Sequence, residues 1–145
     1  MIVLDTNVLS TMMQGVHEPA VKAWLDAQPI SSLWTTAISV FEVRYGLALL
    51  PAGEKQRGLQ EAFEQAVHQD LAARVLAFDT AAAIETAVIA AKLRSIGRPI
   101  DVRDAMIVGT VAAHQGTLAT RNIKHFADTG IPLINPWQLG PPGPP

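Results

Sequence analysis

Ile2-Val3-Leu4-Asp5-Thr6-Asn7 decides how this chain is read. Three apolar residues, two of them β-branched, run straight into a carboxylate, a hydroxyl and an amide. The pattern predicts a short buried strand that ends at Asp5 and feeds a helix, with Thr6 or Asn7 available as its cap. A carboxylate that finishes a buried strand must find donors or a cation, because a bare charge in apolar surroundings is strongly unfavourable.

Working outward, Pro19 to Ala27 reads as a helix: Pro19 suits a first turn, and Val21, Trp24 and Leu25 share a face. Leu33 to Thr36 has strand composition. Ser39 then opens a helix to about Leu50, Pro51-Ala52-Gly53 breaks the chain, and a more polar helix runs from Glu54 to about Gln69. Residues 39 to 69 are therefore expected to form an αα-hairpin. Arg74 to Phe78 is a further short strand, and Thr80 is expected to cap an Ala-rich helix ending near Gly97. Asp101 starts a helix, and Thr117 to Thr120 and Ile131 to Ile134 are the last strands. Strands alternating with helices imply an α/β domain, a parallel sheet with helices on both faces. The domain is expected to span residues 1–138, leaving 139–145 as a flexible Gly/Pro tail.

The chain has 145 residues, 49% of them hydrophobic, and a formal net charge of −2. That length suffices to bury about two-thirds of the unfolded surface. The near-balanced charge excludes a disordered acidic tail protein and an obviously basic nucleic-acid coat. There is no cysteine, so neither disulfides nor thiolate metal sites can contribute. No basic stretch leads an apolar one at the N-terminus, and no window holds the 18 or so apolar residues of a membrane span. A soluble, cytoplasmic domain is the expectation, with no membrane partner.

In open α/β sheets ligands sit at the carboxyl ends of the strands, where strand order reverses. Asp5 ends the first strand, Glu42 and Asp104 lie near the starts of helices, and Thr120 ends the fourth strand, followed at once by Arg121-Asn122. These groups can converge on one sheet edge. Carboxylates placed together repel, and a divalent cation relieves the repulsion. Oxygen donors without Cys or a suggestive His pair favour Mg²⁺, or Mn²⁺, over zinc. Structural readings stand beside these. Ser39-Val-Phe-Glu42 fits a capping box, Asp101-Val-Arg-Asp104 fits a cap followed by an acid in the first turn, and amides of residues 6 to 8 could satisfy Asp5. A dehalogenase-like phosphatase would need an Asp two residues after Asp5, and position 7 is Asn.

Six of the eleven basic residues lie between Lys92 and Lys124, against only Asp101 and Asp104. Lys92 and Arg94 read as solvating a helix face, whereas Arg98, Arg103, Arg121 and Lys124 lead to the expected site and suit a phosphodiester. His17, His68 and His114 read as surface or helix-end residues, and His125 is the histidine nearest the site. Trp24, Trp34, Phe41 and Tyr45 read as core or interface.

Five segments then carry a family resemblance: Ile2 to Ser10, Ala37 to Gly46, Asp104 to Val108, Ala119 to Asn122, and Asn135-Pro136-Trp137. In that order and spacing the chain, from Met1 to about Trp137, resembles PIN-domain nucleases, specifically VapC-type toxins of the FitB-like subgroup. The resemblance implies a three-layer α/β/α domain with a central, mostly parallel sheet. It implies a Mg²⁺-dependent endoribonuclease, the toxin of a type II toxin–antitoxin system, that hydrolyses RNA through a metal-activated water. It further implies a cognate VapB-like antitoxin, a homodimer formed through the αα-hairpin, and contact with DNA only through the antitoxin. The family's acidic ligands fall on Asp5, Glu42 and Asp104, and its frequent fourth acid falls on Asn122, which adds no charge and puts a second metal in doubt. Thr6 and Thr120 are expected to support the site through their hydroxyls. The alternative function is a catalytically weak or inactive antitoxin-binding module in a DNA-bound regulatory complex.

Overall fold

The computed structural model describes residues 1–14 and 18–139. Its five strands are β1 (Ile2–Leu4), β2 (Leu33–Thr36), β3 (Val75–Leu76), β4 (Thr117–Ala119) and β5 (Leu133–Ile134). They form one parallel sheet in the order β3-β2-β1-β4-β5. The chain therefore builds outward from β1 to β3, crosses back, and builds the other way from β4 to β5. The reversal lies between β1 and β4, where Val3 pairs with Leu118 and Leu4 with Ala119. That is where an open α/β sheet has its crevice.

The helices are α1 (Thr6–Gln14), α2 (Pro19–Ala27), α3 (Ala37–Ala48), α4 (Glu54–Gln65), α5 (Thr80–Ser95), α6 (Val102–Ala113) and α7 (Ile123–Phe126). The two-residue period of β1 sends Val3 and Leu4 to opposite faces, and each joins a separate core. Leu4 packs with Val8, Leu9, Trp24, Val43 and Phe63 beneath α1 to α4. Val3 packs with Ile107, Val108, Val111, Leu118 and Phe126 beneath α6 and α7. This is the α/β/α layering expected, and the whole sheet is parallel.

Several boundaries shift for identifiable reasons. Neither Thr6 nor Asn7 caps α1: the helix starts at Thr6, and the Asp5 carbonyl accepts from Val8 and Leu9, each at 3.0 Å. Thr36, not Ser39, caps α3, its hydroxyl accepting from the Ser39 amide at 3.0 Å. That geometry removes the capping-box role for Glu42, which lies nearly two turns inside the helix. Asp79, not Thr80, caps α5 by accepting from the Ala82 amide at 3.0 Å. Gly97 follows the end of that helix at φ +76, a backbone region that favours glycine. Asp101 caps α6 as expected, accepting from Arg103 at 3.0 Å.

Helices α5 and α6 meet closely at Gly109. A Cβ there would fall 1.9 Å from Thr86 Oγ1 and 2.7 Å from its Cα. Only glycine allows this contact, which fixes α6 and with it Asp104. The expected αα-hairpin is α3 and α4. No helix among the described residues is long and apolar enough to cross a membrane. Of the expected Gly/Pro tail only Leu139 lies within the described residues, and His17 lies outside them.

Candidate functional site

Asp5 sits at the carboxyl end of β1 with only 5% of its surface exposed. Its amide donates to the Ala119 carbonyl at 2.9 Å, prolonging the β1–β4 ladder by one rung. Each carboxylate oxygen has a donor: the Thr6 amide reaches Oδ1 at 2.8 Å, and the Thr120 hydroxyl reaches Oδ2 at 2.7 Å. Thr120 is fully buried, and its Oγ1 in turn accepts from the Asn122 amide at 3.1 Å. Burial nevertheless pushes the Asp5 carboxyl above its ordinary range, and the negative charges of Asp104 and Glu42 push it further. The hydrogen bonds from Thr120 and Thr6 oppose the rise without cancelling it. The structural reading of Asp5 is thus partly realised by the Thr6 amide, and a charge problem is left over.

Glu42 reaches the same edge from α3. Its Oε1 accepts from the Thr6 hydroxyl at 2.9 Å, and Oε2 lies 3.9 Å from the Arg103 guanidinium. The Thr6 hydroxyl also lies 3.1 Å from Ser39 Oγ, which is 3.3 Å from Thr36 Oγ1. Thr36 and Ser39 are completely buried, so a line of hydroxyls runs from the end of β2 to Glu42. Sequence reasoning assigned Ser39 to a cap and overlooked this line. Three hydroxyl residues, Thr35, Thr36 and Ser39, straddling a strand end, were the available signal.

Asp104 stands in the first turn of α6, where the helix N-terminus favours its charge. Its Oδ2 lies 2.7 Å from His125 Nε2. It faces an open pocket of about 850 Å³ lined also by Arg121, Asn122, Ile123, Lys124, His125, Asn135 and Gln138. Thr6 and Glu42 line a separate groove of about 250 Å³ with Val43, Leu47, Leu50 and Leu59. Asp5 lies buried beneath this edge, bonded to Thr6 on one side and Thr120 on the other.

The basic residues divide. Arg121 and Lys124 line the large pocket, and Arg103 bridges toward Glu42 and Asp101. Arg98 instead pairs with Asp128 at 2.5 Å and does not line that pocket. Lys92 and Arg94 are exposed on α5. Asn122 is exposed at the start of α7 and lines the pocket. His68 pairs with Glu64 at 2.9 Å, and His114 ends α6 in solvent. Trp24 is core, while Phe41 and Tyr45 are exposed and stack on each other with centroids 5.8 Å apart.

The donors suit a hard divalent cation: carboxylate and hydroxyl oxygens on an edge with surplus negative charge. Among the described residues, no three Asp, Glu or His side chains approach closely enough to hold one ion between them. A cation here would be gripped by fewer than three acids directly, with water supplying the remaining contacts.

The family model described as PIN domain matches residues 2–131. VapC ribonuclease Y4jK of Sinorhizobium fredii is 42% identical over 138 residues, covering 95% of this chain and 99% of its own. Toxin FitB of Neisseria gonorrhoeae is 36% identical over the same shares of the two chains. In the structure of FitAB bound to an IR36 DNA fragment, one chain superposes with a TM-score of 0.88 at 36% identity, covering 97% of this chain and 98% of that one.

Proposed function

The chain belongs to the PIN-domain family, and from that premise we propose that it is a Mg²⁺-dependent endoribonuclease, the toxin of a type II toxin–antitoxin pair. The observation that carries the reading is the buried Asp5 carboxyl, pushed upward by burial and by Asp104 and Glu42 at the switch point of the sheet. A buried carboxyl with two further acids near it is stabilised by a cation, and the names of similar proteins, a VapC ribonuclease and Toxin FitB, support that use. RNA is the substrate class, an antitoxin is the protein partner, and DNA is met only through that antitoxin. The FitAB–DNA complex supports the last two points. A homodimer completes the proposed assembly.

Asp5, Glu42 and Asp104 are the proposed catalytic acids. Mg²⁺, or Mn²⁺ in its place, would be held by Asp5 and Asp104, directly or through its waters, with Glu42 orienting the water shell; bound there it would acidify water and offset charge that develops on the phosphate. Thr120 and the Thr6 amide fix both Asp5 oxygens before substrate arrives, so no reorganisation is needed during reaction. The Thr6 hydroxyl does the same for Glu42, and His125 for Asp104. Asn122 offers a neutral carbonyl oxygen at the pocket wall. Arg103, Arg121 and Lys124 draw the phosphodiester to the acids, and Arg98, engaged by Asp128, is the weakest of the proposed substrate contacts.

The test is cleavage of RNA by the purified protein with Mg²⁺ and with EDTA. Cleavage that requires the cation, and stops when the antitoxin is added, is expected. A second reading, an inactive antitoxin-binding module, is favoured by the neutral Asn122 at the pocket wall. Absence of cleavage in Mg²⁺ and Mn²⁺, with antitoxin binding intact, would replace the first reading with the second.

A further inference from the structure

Asn135-Pro136-Trp137 has no part in the chemistry above, yet the fold brings it against the site. Because Ala119 pairs with Ile134, strands β4 and β5 end side by side, and Arg121 and Asn135 emerge together at the carboxyl edge. The Arg121 backbone is held from two sides. Its amide donates to Asn7 Oδ1 at 3.3 Å, and its carbonyl accepts from Asn135 Nδ2 at 3.3 Å. Asn135 Oδ1 also accepts from the Trp137 amide at 2.9 Å. The Arg121 guanidinium lies over the Trp137 ring, 5.1 Å from its centroid.

Among the described residues Arg44, Arg98 and Arg103 each meet a carboxylate, whereas Arg57, Arg74, Arg94 and Arg121 meet none, and of these four only Arg121 lines the pocket that holds Asp104. Its charge is left for something else. A guanidinium resting on an aromatic face keeps its in-plane N–H donors for an outside acceptor and loses little freedom when that acceptor binds. Bidentate N–H donation of this kind fits a phosphate. Among the described residues the buried Trp137 indole N–H has no partner, a cost that makes sense if the ring is kept for its face. The pocket Arg121 lines also holds Asp104, so an anion seated on Arg121 lies beside a proposed catalytic acid.

We propose that Arg121, stacked on Trp137 and framed by Asn7 and Asn135, is a fixed clamp for a phosphate of the RNA strand next to the bond that is cut. Trp137 and Asn135 are positioning residues that act through it. The clamp rests on the nuclease reading for its substrate and goes beyond it in making Arg121 a fixed, preorganised contact and in assigning Trp137 and Asn135 to hold it.

The test uses a short fluorescein-labelled single-stranded RNA of mixed sequence, with the clamp variants made in both the Asp5→Asn and the wild-type background. In the Asp5→Asn background, Arg121→Gln weakens binding about tenfold, the loss of one charge-assisted contact. Trp137→Leu weakens it nearly as much, Trp137→Phe retains it, and the double variant is no weaker than Arg121→Gln alone, because the two act as one unit. In the wild-type background the same substitutions raise KM and leave kcat within about twofold. Thermal melting of every variant separates these effects from unfolding, and Arg121→Gln, an exposed change, keeps the test open if Trp137→Leu does not fold. Full RNA affinity in Arg121→Gln, additive losses in the double variant, or a fall in kcat at constant KM would each overturn the clamp. If the wild type binds RNA through Arg121 but cuts none, the nuclease reading fails, and the Arg121–Trp137 unit stands as a phosphate contact while its placement beside a cut bond falls. If it cuts RNA and its affinity ignores Arg121, the clamp fails and the nuclease reading stands.

Discussion

Asp5 lies under the sheet edge with a donor on each carboxylate oxygen, whereas Arg121, Asn122 and Lys124 stand exposed around the pocket a few residues beyond β4. The floor is made of residues at strand ends and on helices, buried or half-buried and bonded to each other: Asp5 to Thr6 and Thr120, Thr6 to Glu42. The rim is made of a loop and a short helix whose side chains are solvated, with Arg121 ordered by stacking rather than by an ion pair. Groups whose positions must be held to fractions of an ångström sit where the backbone is fixed by the sheet. Groups that only gather and align a flexible strand sit where solvent screens them and single losses are tolerable. The two regions should therefore answer to different measurements, the floor to turnover and cation affinity and the rim to binding.

Asp104→Ala should have the largest effect, cutting single-turnover cleavage on the order of a hundredfold or more, since it removes a proposed ligand worth several kcal/mol. RNA affinity measured on the same variant should be unchanged or tighter, because an acid has left the pocket. Thr120→Val comes next. It deletes the donor to Asp5 while keeping shape, and outer-shell losses of this kind cost about ten- to a hundredfold. Calorimetric titration of Mg²⁺ should show the weakening; unchanged affinity together with unchanged cleavage would mean that the floor does not depend on its hydroxyls. Lys124→Gln should leave the rate of the cutting step alone and lower the slope of log affinity against log salt by about one.

The smallest effect concerns pH. Because the folded-state pKa of Asp5 lies above its ordinary 3.8, the folded protein binds the proton more tightly than the unfolded chain. Without divalent cation, the stability contributed by Asp5 therefore rises as pH falls through the folded value and levels off below 3.8. Melting temperatures in EDTA across that window should show the rise in the wild type, and Asp5→Asn should lack it. An equal pH response in both proteins would place the linked proton elsewhere.

The sheet was legible because strand residues report their own burial: Val3 and Leu4 alternate between two cores, and Asp5 is the first residue past the edge. The positions of the proposed acids were legible in part: Asp5 ends a strand and Asp104 stands in the first turn of α6, whereas Glu42 lies deeper in α3 than a cap at Ser39 implied. What the sequence concealed was local competition among caps. Thr36 outbids Ser39 for α3, and Asp79 outbids Thr80 for α5, because each stands one to three residues upstream with an equally good acceptor. The short helix α7, four residues long, carries too little periodicity to be seen, so His125 was placed near the site without its partner. The Arg121–Trp137 contact joins residues sixteen apart in the chain, and only the pairing of β4 with β5 brings them together.

The floor-and-rim division rests on Asp5, and the most direct measurement follows cleavage and binding of one RNA by the wild type and Asp5→Asn in Mg²⁺. The expected result is cleavage by the wild type alone, with both proteins binding the RNA equally well and both folded. Cleavage retained in Asp5→Asn and still dependent on Mg²⁺ would contradict it.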